Sequence, residues 1–312
     1  MTASSSSPIA DSPQGSGARA PLVYVVILNY NGPDLTLSCA DSVLKIHYPN
    51  FRVVVVDNAS TDDSLARFRE AFTDPRIEVL ANGKNEGYAG GNDRGIELAL
   101  ARGAEYVFIL NNDTIADPGC LAPLVDAMEA DPHLGICGCQ ITDIGRESSP
   151  NLGHRISLYT GAVAGWHHAA PPAAPAAVDF VCGAAIMIRG RVARQLGGFD
   201  SKFFLFSEDA DICFRARRAG HRACFIPGPG VRHWMGKTTG APWARPLVGF
   251  FSLRNRAWLV RRHGRLRHRF VFGLFAFVYF YPKILLGRIV KGQFRLLRPL
   301  LTAVWHGHAD SV

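Results

Sequence analysis

The sequence has no Cys-x-x-Cys pair: its seven cysteines are scattered, and Cys137 and Cys139 have only Gly138 between them. That pattern argues against a zinc site and a disulfide framework, and favours reduced thiols in a cytosolic protein. The first twenty residues, rich in Ser, Pro and Gly, contain no apolar core of signal-peptide length and read as a disordered tail. The apolar run FVFGLFAFVYFY at 270–281 has twelve residues and stops at Pro282, short of the roughly 20 needed to span a bilayer. No recognisable nucleic-acid module accompanies the arginine-rich RRHGRLRHR at 261–269, so a nucleic-acid partner is not expected.

What is present is a chain of 312 residues, 48% hydrophobic, long enough to bury one large core. Its formal net charge of +8 is concentrated late in the chain and points to phosphate-bearing partners. Short apolar runs at 22–28, 51–57, 77–81 and 106–110 have the length of strands covered on both faces, and 35–45, 64–72 and 89–102 between them have helix length. Alternation at this spacing predicts right-handed βαβ units and a mainly parallel sheet flanked by helices, an α/β class. A further strand is expected at 179–189 and a helix at 207–220 that begins acidic and ends basic, as the macrodipole favours.

Ligands in such sheets bind beyond the carboxyl ends of the strands. There the runs give way to NYNG (29–32), DNASTDDS (57–64) and NNDT (111–114). Each cluster alone is ordinary turn and cap chemistry, but three at one edge mark a site. The tail beyond 270, apolar with Lys283 and Arg288 interspersed, reads as helices lying in the headgroup region of an anionic membrane face; a buried core hairpin is the alternative reading.

In order along 23–239, the blocks VVILNYNG, VVVVDNASTDDS, NEGYAGGNDRG, ILNNDT, GGFDSKFFLFSEDADICFRARRAG and VRHWMGKTTG resemble the family 2 glycosyltransferases, in particular their bacterial rhamnosyltransferase-like branch. The resemblance implies a GT-A nucleotide-diphospho-sugar transferase fold at 21–240, following the tail at 1–20 and preceding a helical membrane-associating extension at 241–312. It implies a donor site at Asn29, Asp57, Asn85, Gly87, Gly91, Asn112 and Lys237, with the Asp57 carboxylate accepting the ring N–H of a dTDP or UDP base. The glycines of 85–95 are expected to let backbone approach a ligand at a helix N-terminus. Asp113 and His233 are the implied ligands of Mg²⁺ or Mn²⁺; the family's metal motif is often Asp-x-Asp, and its first acid is Asn111 here.

The family's Glu-Asp pair falls on Glu208 and Asp209, with Asp209 as the base that takes the acceptor hydroxyl's proton. Acids in the first turn of a helix are also favoured by the dipole alone, and Asp211 is spaced to pair with Arg215. By resemblance the enzyme inverts the anomeric carbon in one displacement. It is expected to move rhamnose or a similar sugar onto a cell-surface glycan or lipid-linked saccharide, peripheral on the cytoplasmic face of the inner membrane. A non-catalytic nucleotide-sugar binding module is the rival that the missing acid at Asn111 favours. His154, Trp166, His167 and His168 fall where an acceptor could pass.

Overall fold

The computed structural model describes residues 19–145, 150–167, 171–234 and 245–309, with Trp166, His167 and Arg245 described in backbone only. The expected alternation is present: β1 (Val23–Asn29), α1 (Pro33–Leu44), β2 (Phe51–Asp57), α2 (Ser64–Ala71), β3 (Ile77–Ala81), α3 (Gly87–Ala101) and β4 (Tyr106–Asn111). Valine and isoleucine dominate β1 and β2 because both faces of these strands are covered, which suits β-branched side chains. β1 lies between β2 and β4, parallel to both, and the register pairs Asn29 with Asp57 and Leu28 with Asn111. The polar ends of three strands therefore meet at one edge.

The chain continues through β5 (Thr114–Ala116), α4 (Leu121–Ala130), β6 (Leu134–Gly138), β7 (Ile141–Asp143), β8 (Asn151–Ile156), β9 (Val163–His167), β10 (Ala176–Ala177) and β11 (Ala185–Arg189). After α5 (Gly190–Leu196) come α6 (Glu208–Arg218), β12 (Arg222–Phe225) and β13 (Val231–His233). The main sheet has the order β10-β12-β6-β11-β4-β1-β2-β3, and β11 runs antiparallel to both neighbours. Five short strands, β5-β13-β7-β8-β9, form a second sheet. The expected strand at 179–189 is shortened to its last five residues, because the Gly183 peptide turns aside to bond Tyr88 and Asp209 instead of joining the ladder.

Three of the glycines in 87–95 are explained by close approach. A Cβ at Gly91 would sit 2.6 Å from Leu28 Cδ1, and one at Gly95 2.4 Å from Val26 Cγ1, so α3 lies directly on β1. Gly87 has φ +72, and a Cβ there would come within 2.4 Å of the Phe204 carbonyl.

The C-terminal helices are α7 (Arg245–His263), α8 (Leu266–Phe275), α9 (Tyr281–Val290) and α10 (Leu297–Ala309). α7 belongs to two cores at once: Trp258 and Leu259 pack with Phe203 and Ile212 of the α/β body, while Leu253, Ala257 and Val260 pack with Phe272, Leu300 and Ala303. α8 and α9 join through a π-helical turn, Ala276–Phe280, into one helical segment, Leu266–Val290, of 25 residues. Pro282 does not interrupt it. The widened turn before it accommodates a residue that has no N–H and whose ring would crowd a regular helix. By length and composition the segment is apolar enough to cross a membrane. Its outer stripe is open, with Leu266 81%, Phe270 75% and Leu274 60% exposed, so it is not a core hairpin.

Candidate active site

At the sheet edge, Asn29 is fully buried and donates to Asp57 Oδ1 (3.0 Å) and Ser60 Oγ (3.0 Å), while its own Oδ1 accepts from Thr36 Oγ1 (2.7 Å). Asp57 also accepts from Ser60 Oγ (2.6 Å) and the Ser60 amide (3.1 Å). It is therefore an Asx-turn residue as well as a candidate ligand group; its Oδ2 accepts one of these bonds, and a carboxylate oxygen can take a second. Asn112, half-buried, donates to Thr36 Oγ1 at 3.0 Å.

The sequence reading did not single out Asn58, which is 2% exposed and clamps the loop between β3 and α3. Its amide nitrogen donates to Asn85 Oδ1 and the Gly87 carbonyl, and its oxygen accepts from Asn82 Nδ2 and the Glu86 amide. An asparagine following a buried strand, with a glycine-rich loop nearby, was the available signal.

The first amides of α3 have partners within the chain. The Gly87 amide bonds Asn85 Oδ1 (2.9 Å), and the Tyr88 and Ala89 amides bond the Phe204 carbonyl (2.6 and 3.3 Å). Gly87 and Gly91 lie at close packing contacts, and Asn85 holds the turn. Lys237, proposed for the donor phosphates, and His168 lie outside the described residues.

Asp113 and His233 do come together, although 120 positions separate them. β13 pairs antiparallel with β5, setting His233 opposite Thr114, and Asp113 Oδ1 lies 2.9 Å from His233 Nε2. Two residues before Asp113, at the end of β4, Asn111 Oδ1 is a buried oxygen with no partner. No cluster of three or more His, Cys, Asp or Glu exists among the described residues. One carboxylate, one imidazole and one orphaned amide oxygen suit a hard cation that draws most of its ligands from phosphate and water.

The acid pair begins α6. Glu208 is buried with Oε2 unpartnered, whereas Asp209 accepts from the Gly183 amide (3.0 Å) and the Ala210 amide (2.8 Å). Burial raises both carboxyls; that of Glu208 stands well above the ordinary range, raised further by the charge of Asp209. The two differ in hydrogen bonding: the Gly183 and Ala210 amides favour the charged form of Asp209, while Glu208 Oε2 has no partner. Tyr88 joins the two sides. Its hydroxyl donates to the Gly183 carbonyl at 2.7 Å; burial drives its pKa well up, and Glu208, Asp209, Cys182 and Asp113 raise it further, so both acid clusters act on one phenol.

Helix-end decoration applies to Asp211 instead. Fully buried, it bonds Arg215 (2.7 Å) and His263 (2.7 Å) and ties α6 to α7. The turn before the pair is strained, with Phe204, Phe206 and Ser207 at φ 60, 70 and 69. Asn255 of α7 holds it: Nδ2 lies 2.8 Å from each of the carbonyls of Phe203, Leu205 and Phe206. An asparagine in mid-helix, where it is a poor former, was the sequence signal for this role.

Asp209 opens on a cavity of about 200 Å³ whose lining includes Phe180, Phe206, Ser252 and Arg256. His154 stacks on Phe180 with ring centroids 4.7 Å apart, so of the four residues placed on an acceptor path it borders this cavity wall.

Comparison with known proteins gives the family and the fold. Residues 24–197 match the profile described as Glycosyl transferase family 2. The chain is 28% identical over 267 residues, 75% of its length and 85% of the relative's, to an N-acetylglucosaminyl-diphospho-decaprenol L-rhamnosyltransferase of Mycobacterium tuberculosis. In fold it is similar to a mannosyltransferase from Pyrobaculum calidifontis solved with GDP-Man and Mn²⁺ (TM-score 0.55, 18% identity, covering 94% of this chain and 77% of that one). It is also similar to GalNAc-T7 solved with UDP, GalNAc and Mn²⁺ (TM-score 0.60, 15% identity, covering 84% and 57%). With the family profile spanning over half of the chain and GT-A transferases as structural neighbours, the chain belongs to glycosyl transferase family 2 and is a glycosyltransferase.

Proposed function

We propose that the protein moves rhamnose or a similar sugar, with inversion, from a dTDP- or UDP-linked donor to a hydroxyl of a lipid-linked saccharide or cell-surface glycan, at the cytoplasmic face of the inner membrane. The observation that carries this reading is the acid pair at a cavity: Asp209 lines it and is held by two backbone amides, beside a buried Glu208 whose Oε2 has no partner.

An acceptor hydroxyl seated in that cavity attacks the anomeric carbon. The new C–O bond forms opposite the leaving group, the old C–O bond gives its electron pair to the diphosphate, and the proton passes to Asp209. The raised pKa makes Asp209 a stronger base than an exposed aspartate. Asn29, Asp57 and Asn112 border the donor side. Asp113 and His233 would hold Mg²⁺ or Mn²⁺, which supplies neutralisation of the departing diphosphate's charge. The name of the mycobacterial relative makes rhamnose and a lipid-diphosphate saccharide the first donor and acceptor to test, and the Mn²⁺ in two structural neighbours supports a divalent cation. The exposed apolar stripe of Leu266–Val290 supports the membrane placement.

The test is nucleoside diphosphate release by the purified full chain over a panel of nucleotide-sugars, with and without Mg²⁺ or Mn²⁺. Release with one donor is expected, abolished in Asp209→Asn while donor binding persists. A wild-type protein that binds a donor but never turns over, or an Asp209→Asn variant with full turnover, overturns the reading.

A further inference from the structure

A second, larger cavity, of about 1010 Å³, lies between α7, α9 and α10, and it shares Ser252 and Arg256 with the cavity of Asp209. Its apolar lining includes Val248, Leu253, Ile284 and Leu296, and its cations are Arg256, Arg288 and Arg295. Between positions 245 and 309 the chain has thirteen Lys and Arg and no Asp or Glu, so the helices themselves offer these arginines no carboxylate.

Arg256 is half-buried and forms no ion pair among the described residues; its guanidinium lies 4.5 Å from the Phe280 ring centroid. Burial lowers its pKa, the mark of a cation short of a counter-charge. Among the described residues the Arg288 side chain bonds a neutral partner, Gln293, at 2.6 Å, and Arg295 is exposed. A half-buried cation without a counter-charge is costly, and an arginine fork matches the oxygens of a phosphate.

We infer that this groove seats the diphosphate of an isoprenoid-lipid acceptor, with Arg256, Arg288 and Arg295 as its phosphate ligands and Arg256 standing between the lipid groove and the cavity of Asp209. The inference rests on the transfer reading above and names its acceptor class. In a saccharide linked to lipid through a diphosphate, the acceptor hydroxyl lies one sugar ring away from the phosphates. The shared Arg256 gives the two cavities that relation: phosphate on one side, proton acceptor on the other. The far wall is α9, which turns Ile284 and Arg288 to the groove while Leu286, Ile289 and Val290 are exposed. A lipid chain leaving the groove therefore emerges along the helix that would rest on the bilayer.

The experiment has a binding arm and a kinetic arm, both on the full chain. Phosphatidylcholine vesicles doped with a polyprenyl diphosphate are compared with vesicles doped with phosphatidylglycerol, and inorganic diphosphate serves as competitor. Wild type is expected to prefer the polyprenyl diphosphate vesicles, and Arg288→Ala/Arg295→Ala to lose about tenfold or more of that preference. Arg256→Ala should do the same, and Arg256→Lys should restore part of the loss. In the kinetic arm the same variants should lower, by about tenfold, the ratio of kcat/KM for a polyprenyl-diphosphate-linked acceptor to that for a lipid-free sugar acceptor. Equal binding to phosphatidylglycerol vesicles, or an unchanged preference in the Arg288→Ala/Arg295→Ala double variant, overturns the inference. If neither acceptor is glycosylated, the transfer reading falls, and the binding arm still decides the groove.

Discussion

At the carboxyl edge of the sheet, Asn29, Asp57, Asn58 and Asn85 bond one another and the turns around them, whereas in the C-terminal helices Arg256 and Arg295 meet no carboxylate among the described residues and a 25-residue helix leaves its apolar stripe uncovered. The first region is finished by its own side chains. The second is complete only with something from outside: an anion for the arginines and an apolar surface for the helix. A site held in place before its ligand arrives loses little in rearrangement, and a site that borrows its counter-charge is selective for whatever brings it.

The contrast can be broken or sharpened by substitution. The largest effect is the loss of turnover in Asp209→Asn, about 10²- to 10⁴-fold for removal of a general base; its pH profile in wild type should show an acidic limb above the ordinary aspartate value of 3.8, because burial raises Asp209. Next, Asn58→Ala should unfold the closed region more readily by about 2–4 kcal/mol in urea titrations, since Asn82, Asn85 and the Glu86 amide each lose a buried partner. His233→Ala should weaken Mn²⁺ activation by at least about tenfold, with donor binding in the absence of metal much less affected.

A smaller effect concerns Asp93, whose carboxyl burial raises to about 7 even as it accepts from the Phe199 amide at 2.7 Å. The folded chain keeps a proton that the unfolded chain releases between the ordinary carboxylate range and neutrality, so stability from this group falls as pH rises through that window. Going from about pH 5 to about pH 8, wild type should lose roughly 2 kcal/mol more than Asp93→Asn. The smallest change in stability, within about 0.5 kcal/mol per site, is expected for glutamate at Leu266, Phe270 or Leu274. Combined, these substitutions should nonetheless move the protein from the membrane to the soluble fraction, and unchanged partitioning would break the comparison.

The closed region was the more legible in sequence. Apolar runs at 22–28 and 106–110 give β1 and β4 because a strand's two covered faces are written in consecutive residues, and the polar residues after them fall at the edge by register. Other features depend on partners far along the chain. The Phe204 carbonyl occupies the start of α3, and Asn255 grips the turn before Glu208 from 49 residues or more away. A local pattern can mark such a residue, as the mid-helix position marks Asn255, but it does not name the partner. Pro282 misled for a related reason: its effect on a helix depends on the geometry of the preceding turn, and the π-helical Ala276–Phe280 absorbs it.

The ladder that sets β13 beside β5 imposes an order on synthesis. A nascent chain released as far as β12 has its central strands yet lacks the imidazole that meets Asp113, so half a protein is not half an enzyme. Fragments divided between β5 and β13 regain that meeting only by reassociation, and a circular permutant would have to keep the two strands in reach of each other.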